Sequence, residues 1–192
     1  MLEIDMDPLA RILGSAARLK LLRLFIFNEA SAFTLAEAAF RTKLTKDAAR
    51  KEIAVLAAAG VIKKRGSTGY GAEKRFAFFD PLAAFVRTTT GVGNADVLAA
   101  LRKAGTLRLV VTSGLFTGVQ ESKIDLLIVG DKLDERSLKA SVHGIEAELG
   151  REIRYATFST EDFRYRLGVY DRLIRDVLDY PHRAIFDKIG FK

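Results

Sequence analysis

The chain has 192 residues, a formal net charge of +7 and no cysteine, and apolar residues make up 49% of it. Apolar content of that order buries an ordinary core and argues against disorder, while the missing cysteines exclude disulfides, thiolate metal sites and cysteine nucleophiles. Two histidines, His143 and His182, leave little material for a zinc site or a serine-type triad.

No apolar run reaches the roughly 18 residues that span a bilayer, and Met1-Leu2-Glu3-Ile4-Asp5 lacks the basic-then-apolar pattern of a signal peptide. A cytoplasmic protein with no membrane partner is therefore expected. Charge is unevenly spread: up to Thr90 there are 15 Lys and Arg against 9 Asp and Glu, and beyond it 16 against 15. A basic first half points to a polyanion, because released counterions drive association with nucleic acid.

Asp7-Pro8 opens a helix, and Leu9, Leu13, Ala17, Leu21, Leu24 and Phe25 recur at three- and four-residue steps, which predicts one long helix to about Asn28. A second stripe, Ile12, Ala16, Leu19, Leu22 and Ile26, widens its apolar surface beyond what one small domain covers and points either to packing on a second copy of the chain or to burial in the chain's own core. Thr34-Leu35-Ala36-Glu37 has the form of a capping box and starts a second helix. Thr45 caps a third, which turns Ala49, Ile53 and Leu56 inward and stops at Gly60. Strands are predicted over 61–65 and 74–79, around a glycine-rich turn at 66–71.

Three helices followed by a basic hairpin, with Leu56-Ala57-Ala58-Ala59-Gly60-Val61-Ile62 at the passage between them, resemble the small bacterial and archaeal winged-helix repressors. The resemblance covers about residues 8–80. It implies a third helix in the major groove and a hairpin wing on the backbone or minor groove. The helical period points Asp47, Lys51 and Ala54 outward with Arg50 on the flank. Lys46, Arg50 and Lys51 are the groove candidates, and Lys63, Lys64, Arg65, Lys74 and Arg75 the phosphate candidates. Asp47 works against phosphate contact, although it suits the helix N-terminus.

A Thr/Gly stretch around residues 88–93 reads as a connector, so the first domain is assigned to 1–90 and the second to 91–192. Beyond it helix and strand alternate: a helix over 96–104, strands over 107–111 and 124–129, a helix over 134–149, a strand over 153–158 and a last helix over 161–179. Phe163, Leu167, Tyr170, Ile174 and Val177 form that helix's apolar stripe, and Arg164, Arg166, Arg172 and Arg175 alternate with acids on its solvated face. His143 is read as a surface or packing residue and His182 as a loop residue. The order describes a small α/β domain.

Ser113-Gly114-Leu115-Phe116-Thr117-Gly118, followed by Ser122-Lys123-Ile124-Asp125-Leu126-Leu127-Ile128-Val129, resembles the core of minimal nucleotidyltransferases over about residues 95–190. That family holds a triphosphate on a glycine turn and two Mg²⁺ ions on carboxylates at i and i+2 of one strand. Here Ser113-Gly114 replaces the ordered Gly-Ser pair. Asp125 matches the second carboxylate, but Lys123 stands at the first. The third strand contains no carboxylate, and only Glu152 at its start could substitute. Asp125 is accordingly read as a strand-end residue that caps or pairs with Lys123.

The expectation is an α+β chain of two domains, an N-terminal winged helix-turn-helix and a C-terminal nucleotidyltransferase-like domain with a degenerate nucleotide site at Ser113, Gly114, Gly118, Lys123 and Asp125. Its function would be transcriptional regulation, with double-stranded DNA and a second copy of the chain as partners. The second domain would serve dimerisation, sensing of a small molecule or nucleotide, or partner binding. No catalytic residue, metal or cofactor is assigned. The alternatives are a nucleotidyltransferase acting on a nucleotide, small molecule or protein, and an antitoxin-like interaction protein.

Overall fold

The computed structural model describes residues 7–119 and 121–191; the opening Met1–Asp5 stretch read above lies outside them. The chain is mixed α+β and divides into two compact units. One runs to Thr90 and includes Glu146–Arg151; the other comprises Gly91–Ile145 and the chain from Glu152 onward.

The first unit runs α1 (Pro8–Ile12), α2 (Ala16–Phe27), β1 (Ala32–Thr34), α3 (Leu35–Arg41), α4 (Lys46–Ala58), β2 (Ile62–Arg65), β3 (Gly69–Ala72) and α5 (Phe79–Thr89). The long first helix of the sequence reading is two helices. Gly14-Ser15 interrupts it, and the Ser15 hydroxyl accepts the Arg18 N–H at 3.1 Å as the cap of α2. Continuous apolar spacing hid this break. Leu21, Leu22, Leu24, Phe25 and Ile26 enter one core with Phe33, Ile53, Leu56, Ile62, Phe79 and Val86. Of the second stripe, Leu19, Leu22 and Ile26 are buried within the chain and Ile12 is 77% exposed.

Short polar caps set the next two helices. Thr34 and Glu37 make the expected box, with Thr34 N–H to Glu37 Oε2 at 2.7 Å and Glu37 N–H to Thr34 Oγ1 at 3.2 Å. Thr45 Oγ1 accepts the Ala48 N–H at 3.2 Å and opens α4. The hairpin differs from expectation in its second strand, which is Gly69–Ala72 and not 74–79. β3 lies between β1 and β2, antiparallel to both. A Cβ at Gly71 would come 3.0 Å from the Ser31 carbonyl and 3.2 Å from Arg65 Cγ. These glycines therefore serve close strand pairing and not the turn alone. The apolar run at 76–79, read as strand, turns through a loop and starts α5, so Lys74 and Arg75 belong to that loop.

From Gly91 onward the chain runs α6 (Asn94–Leu101), β4 (Thr106–Thr112), β5 (Leu126–Asp131), α7 (Glu135–Leu149), of which Glu146–Leu149 is counted with the first unit, β6 (Tyr155–Phe158), α8 (Thr160–Gly168), α9 (Arg172–Asp179) and β7 (Arg183–Asp187). The sheet order is β6-β5-β4-β7, with β5 and β6 parallel and the other pairs antiparallel. Leu109, Val111, Leu127 and Val129 on one face pack with Phe163, Ile174 and Val177 from α8 and α9. The last helix of the sequence reading breaks at Tyr170, whose φ is 54°. Asp171 caps α9 by accepting the Leu173 N–H at 2.9 Å. Leu167 and Tyr170, placed by periodicity on the buried stripe, are consequently exposed. β7 was not anticipated, because its sequence Arg-Ala-Ile-Phe-Asp alternates too briefly to register.

Candidate functional site

The rotation of α4 decides what its surface can do. Ala49, Ile53 and Leu56 face inward as expected, and Glu52 joins them, only 5% exposed. A carboxylate is buried only when it is paired, and Glu52 has two partners from the start of α2. The Ser15 hydroxyl donates to Oε1 at 2.9 Å, and Arg18 Nε donates to Oε2 at 2.8 Å. Arg18 also reaches the Leu13 carbonyl at 2.7 Å. This polar anchor fixes the outward face as Lys46, Asp47, Arg50, Lys51 and Ala54, all exposed. On it Arg50 Nη1 donates to Asp47 Oδ1 at 2.5 Å.

The cations of α4, the hairpin and the loop after it fall into two groups. Lys63 is paired with Glu73, Lys74 with Glu29 at 2.8 Å, and Arg65 Nη2 donates to the Ala72 carbonyl at 3.0 Å. The Lys63 ammonium and the Arg75 N–H hold the Glu73 carboxyl below its usual range, and Lys74, with Arg87, does the same for Glu29. Lys46, Lys51, Lys64 and Arg75 make no ion pair among the described residues. A groove of about 270 Å³, lined by Leu35, Arg50, Ile53, Ala54, Ala57 and Tyr70, joins α4 to β3. Tyr70 and Glu52 were not singled out from sequence; Glu52 is visible there only as an acid on the apolar side of the helix period.

In the second unit the matched residues surround one buried carboxylate. Asp125 is 1% exposed. Its Oδ1 accepts the Leu115 N–H at 2.8 Å and Arg154 Nη2 at 2.8 Å; its Oδ2 accepts the Arg154 backbone N–H and Nε, both at 2.9 Å. Four donors use the roughly four lone-pair sites of a carboxylate. Burial pushes the Asp125 carboxyl up, but the hydrogen bonds from Arg154 and Leu115 outweigh it and leave it below its ordinary value. The partner is Arg154 and not Lys123, which corrects the sequence reading. Parallel pairing explains it: Leu126 lies opposite Tyr155, so the residues just before each strand, Asp125 and Arg154, meet. That register is invisible in a single sequence.

The turn that would hold a phosphate is likewise occupied from within. Gly114 has a φ of +48°, and a Cβ there would lie 2.3 Å from Asp125 Oδ1. The N–H groups of Ser113, Phe116, Thr117 and Val119 go to the carbonyls of Asp125, Ser113, Gly114 and Gly114. Ser113 is buried, and its hydroxyl donates to the Pro181 carbonyl at 3.2 Å. Gly118 and Lys123 are exposed, and Lys123 N–H donates to Asp176 Oδ2 at 2.7 Å. β6 supplies no carboxylate, and among the described residues no three His, Asp or Glu side chains gather as metal ligands. The donor set does not fit a Mg²⁺ pair, since its one matched carboxylate is saturated by a guanidinium and two amides.

Comparisons with known protein families, characterised proteins and solved structures find no match to this chain.

Proposed function

We infer that the chain is a cytoplasmic transcriptional regulator that binds double-stranded DNA through its first unit, a winged helix-turn-helix. The observation that carries this reading is the outward face of α4, where Lys46, Arg50 and Lys51 stand exposed while Glu52 anchors the opposite side. A 13-residue helix with a cationic outer face, followed by an antiparallel hairpin bearing Lys64, suits insertion into a major groove with the hairpin on phosphates. The basic excess up to Thr90 supports the same partner.

The second unit is read as a nucleotidyltransferase-like domain without catalytic function, retained for assembly, sensing or partner binding. Saturation of Asp125 by Arg154 and the Leu115 N–H, and the use of the Phe116, Thr117 and Val119 N–H groups by carbonyls of the same turn, support that reading. A homodimer on an inverted-repeat site is the form in which such a regulator binds.

Titration of labelled duplex DNA with the full chain tests the proposal. Binding should occur at micromolar protein or below and fall at least tenfold when Lys46 and Lys51 are both changed to Glu. Equal affinity of the native chain and that variant would remove α4 from the interface.

A further inference from the structure

Asp47 and Arg50 lie at i and i+3 near the start of α4, with side chains 89% and 65% exposed, joined by Arg50 Nη1 to Asp47 Oδ1 at 2.5 Å. A solvent-exposed pair of this kind contributes little to stability. Its geometric effect is larger. The bond uses one N–H of the guanidinium and holds the group over the outer face of the helix, leaving Nε and Nη2 for an incoming acceptor pair.

We propose that Asp47 and Arg50 act together to read guanine in the major groove. The inference rests on the assignment of the first unit as a duplex-binding module and specifies what that module selects. Guanine is the base whose major-groove edge presents two acceptors side by side, O6 and N7, and a guanidinium matches them in bidentate fashion. Asp47 is acceptor-only when ionised. It is repelled by phosphates, which keeps the pair over the bases and away from the backbone. Its remaining lone pairs match the amino group of cytosine, the other major-groove signature of a G·C pair. Lys46 and Lys51, which have no carboxylate partner among the described residues, flank the pair and take the phosphates. Ala54, one turn further along and beside Arg50 in the α4 groove, leaves room for the base edge to approach.

Selection of bound fragments from random duplex DNA provides the site, and replacement of single guanines in that site by 7-deazaguanine, which lacks the N7 acceptor, tests the contact on the native chain. One guanine per half-site should lose about tenfold in affinity on replacement. Arg50→Ala should abolish the preference for that guanine, and Asp47→Ala should relax it, whereas Lys51→Ala lowers affinity for all duplexes alike. Both paired residues are exposed, so the variants should keep the native melting temperature, which checks that they fold. Salt-dependent duplex binding with no 7-deazaguanine effect and unchanged selectivity in Arg50→Ala would overturn the guanine contact while leaving DNA binding in place. Absence of any salt-dependent duplex binding would overturn both.

Discussion

Arg154 holds Asp125 with three donors at once: its backbone N–H and Nε meet Oδ2, and Nη2 meets Oδ1, all within 2.9 Å. The guanidinium thus supplies the positive charge that offsets the buried carboxylate. Asp125 is buried and Arg154 is half-exposed, so the pair costs desolvation mainly on one side. Removing the cation leaves an uncompensated carboxylate inside the second unit.

Arg154→Ala should therefore destabilise the protein by about 2 kcal/mol, the range for a lost charged hydrogen-bond set. Urea unfolding of Arg154→Ala, Asp125→Asn and the double variant measures the coupling. The sign of the pH effect follows from a carboxyl lowered in the folded state. Its stabilisation is present above the unfolded value, about 4, and is lost as pH falls through the lower folded value. Acid titration of the native chain should show that loss, and Asp125→Asn should remove it.

Incubation with nucleoside triphosphates and Mg²⁺ or Mn²⁺ should release no pyrophosphate above the level of Asp125→Ala. Lys123→Asp restores a carboxylate at i−2, yet turnover should stay absent, because Arg154 still saturates Asp125 and β6 still lacks a carboxylate. Asp125-dependent release by the native chain would contradict the silent-site reading.

Glu52→Ala should cost about 2 kcal/mol, since the Ser15 hydroxyl and Arg18 guanidinium lose their acceptor. Duplex affinity should fall with it even though Glu52 faces away from the groove, because the anchor sets the rotation of α4. Glu52→Gln keeps one acceptor oxygen and should recover part of both losses. Thermal melting and duplex titration of the two variants, side by side, check this.

Much of this was legible in the sequence and some was not, for reasons that differ by residue. Local chemistry read correctly: Thr34 and Glu37 form their box, Thr45 caps α4, and the inward set Ala49, Ile53 and Leu56 is buried. Interruptions of a continuous apolar period read poorly, which is why Gly14-Ser15 and Tyr170-Asp171 were overrun. Only the hairpin's second strand falls elsewhere than expected, because Phe76, Phe78 and Phe79 look more strand-like than Gly69-Tyr70-Gly71, whose small residues are required by flanking strands that sequence cannot display. The Asp125 partner depended on strand register, and the pairing of Lys63 and Lys74 with glutamates on a tertiary arrangement.

That pairing yields a graded expectation for the hairpin and the loop after it. Among the described residues Lys64 and Arg75 have no carboxylate partner, so Lys64→Ala and Arg75→Ala should each flatten the salt slope of duplex binding by about 0.9. Lys63→Ala and Lys74→Ala should change it less, because Glu73 and Glu29 already neutralise those cations. Equal slopes across the four variants would show that the intramolecular pairs dissolve on binding.

The most direct test of the central claim is the affinity of the native chain for duplex DNA between 50 and about 200 mM salt. With Lys46, Lys51, Lys64 and Arg75 as phosphate contacts, log Kobs should fall linearly with log salt at a slope of about −4 per protomer. Binding that is undetectable at 50 mM salt, where the Debye length is about 14 Å, or a slope near zero, would contradict the assignment of the first unit to DNA.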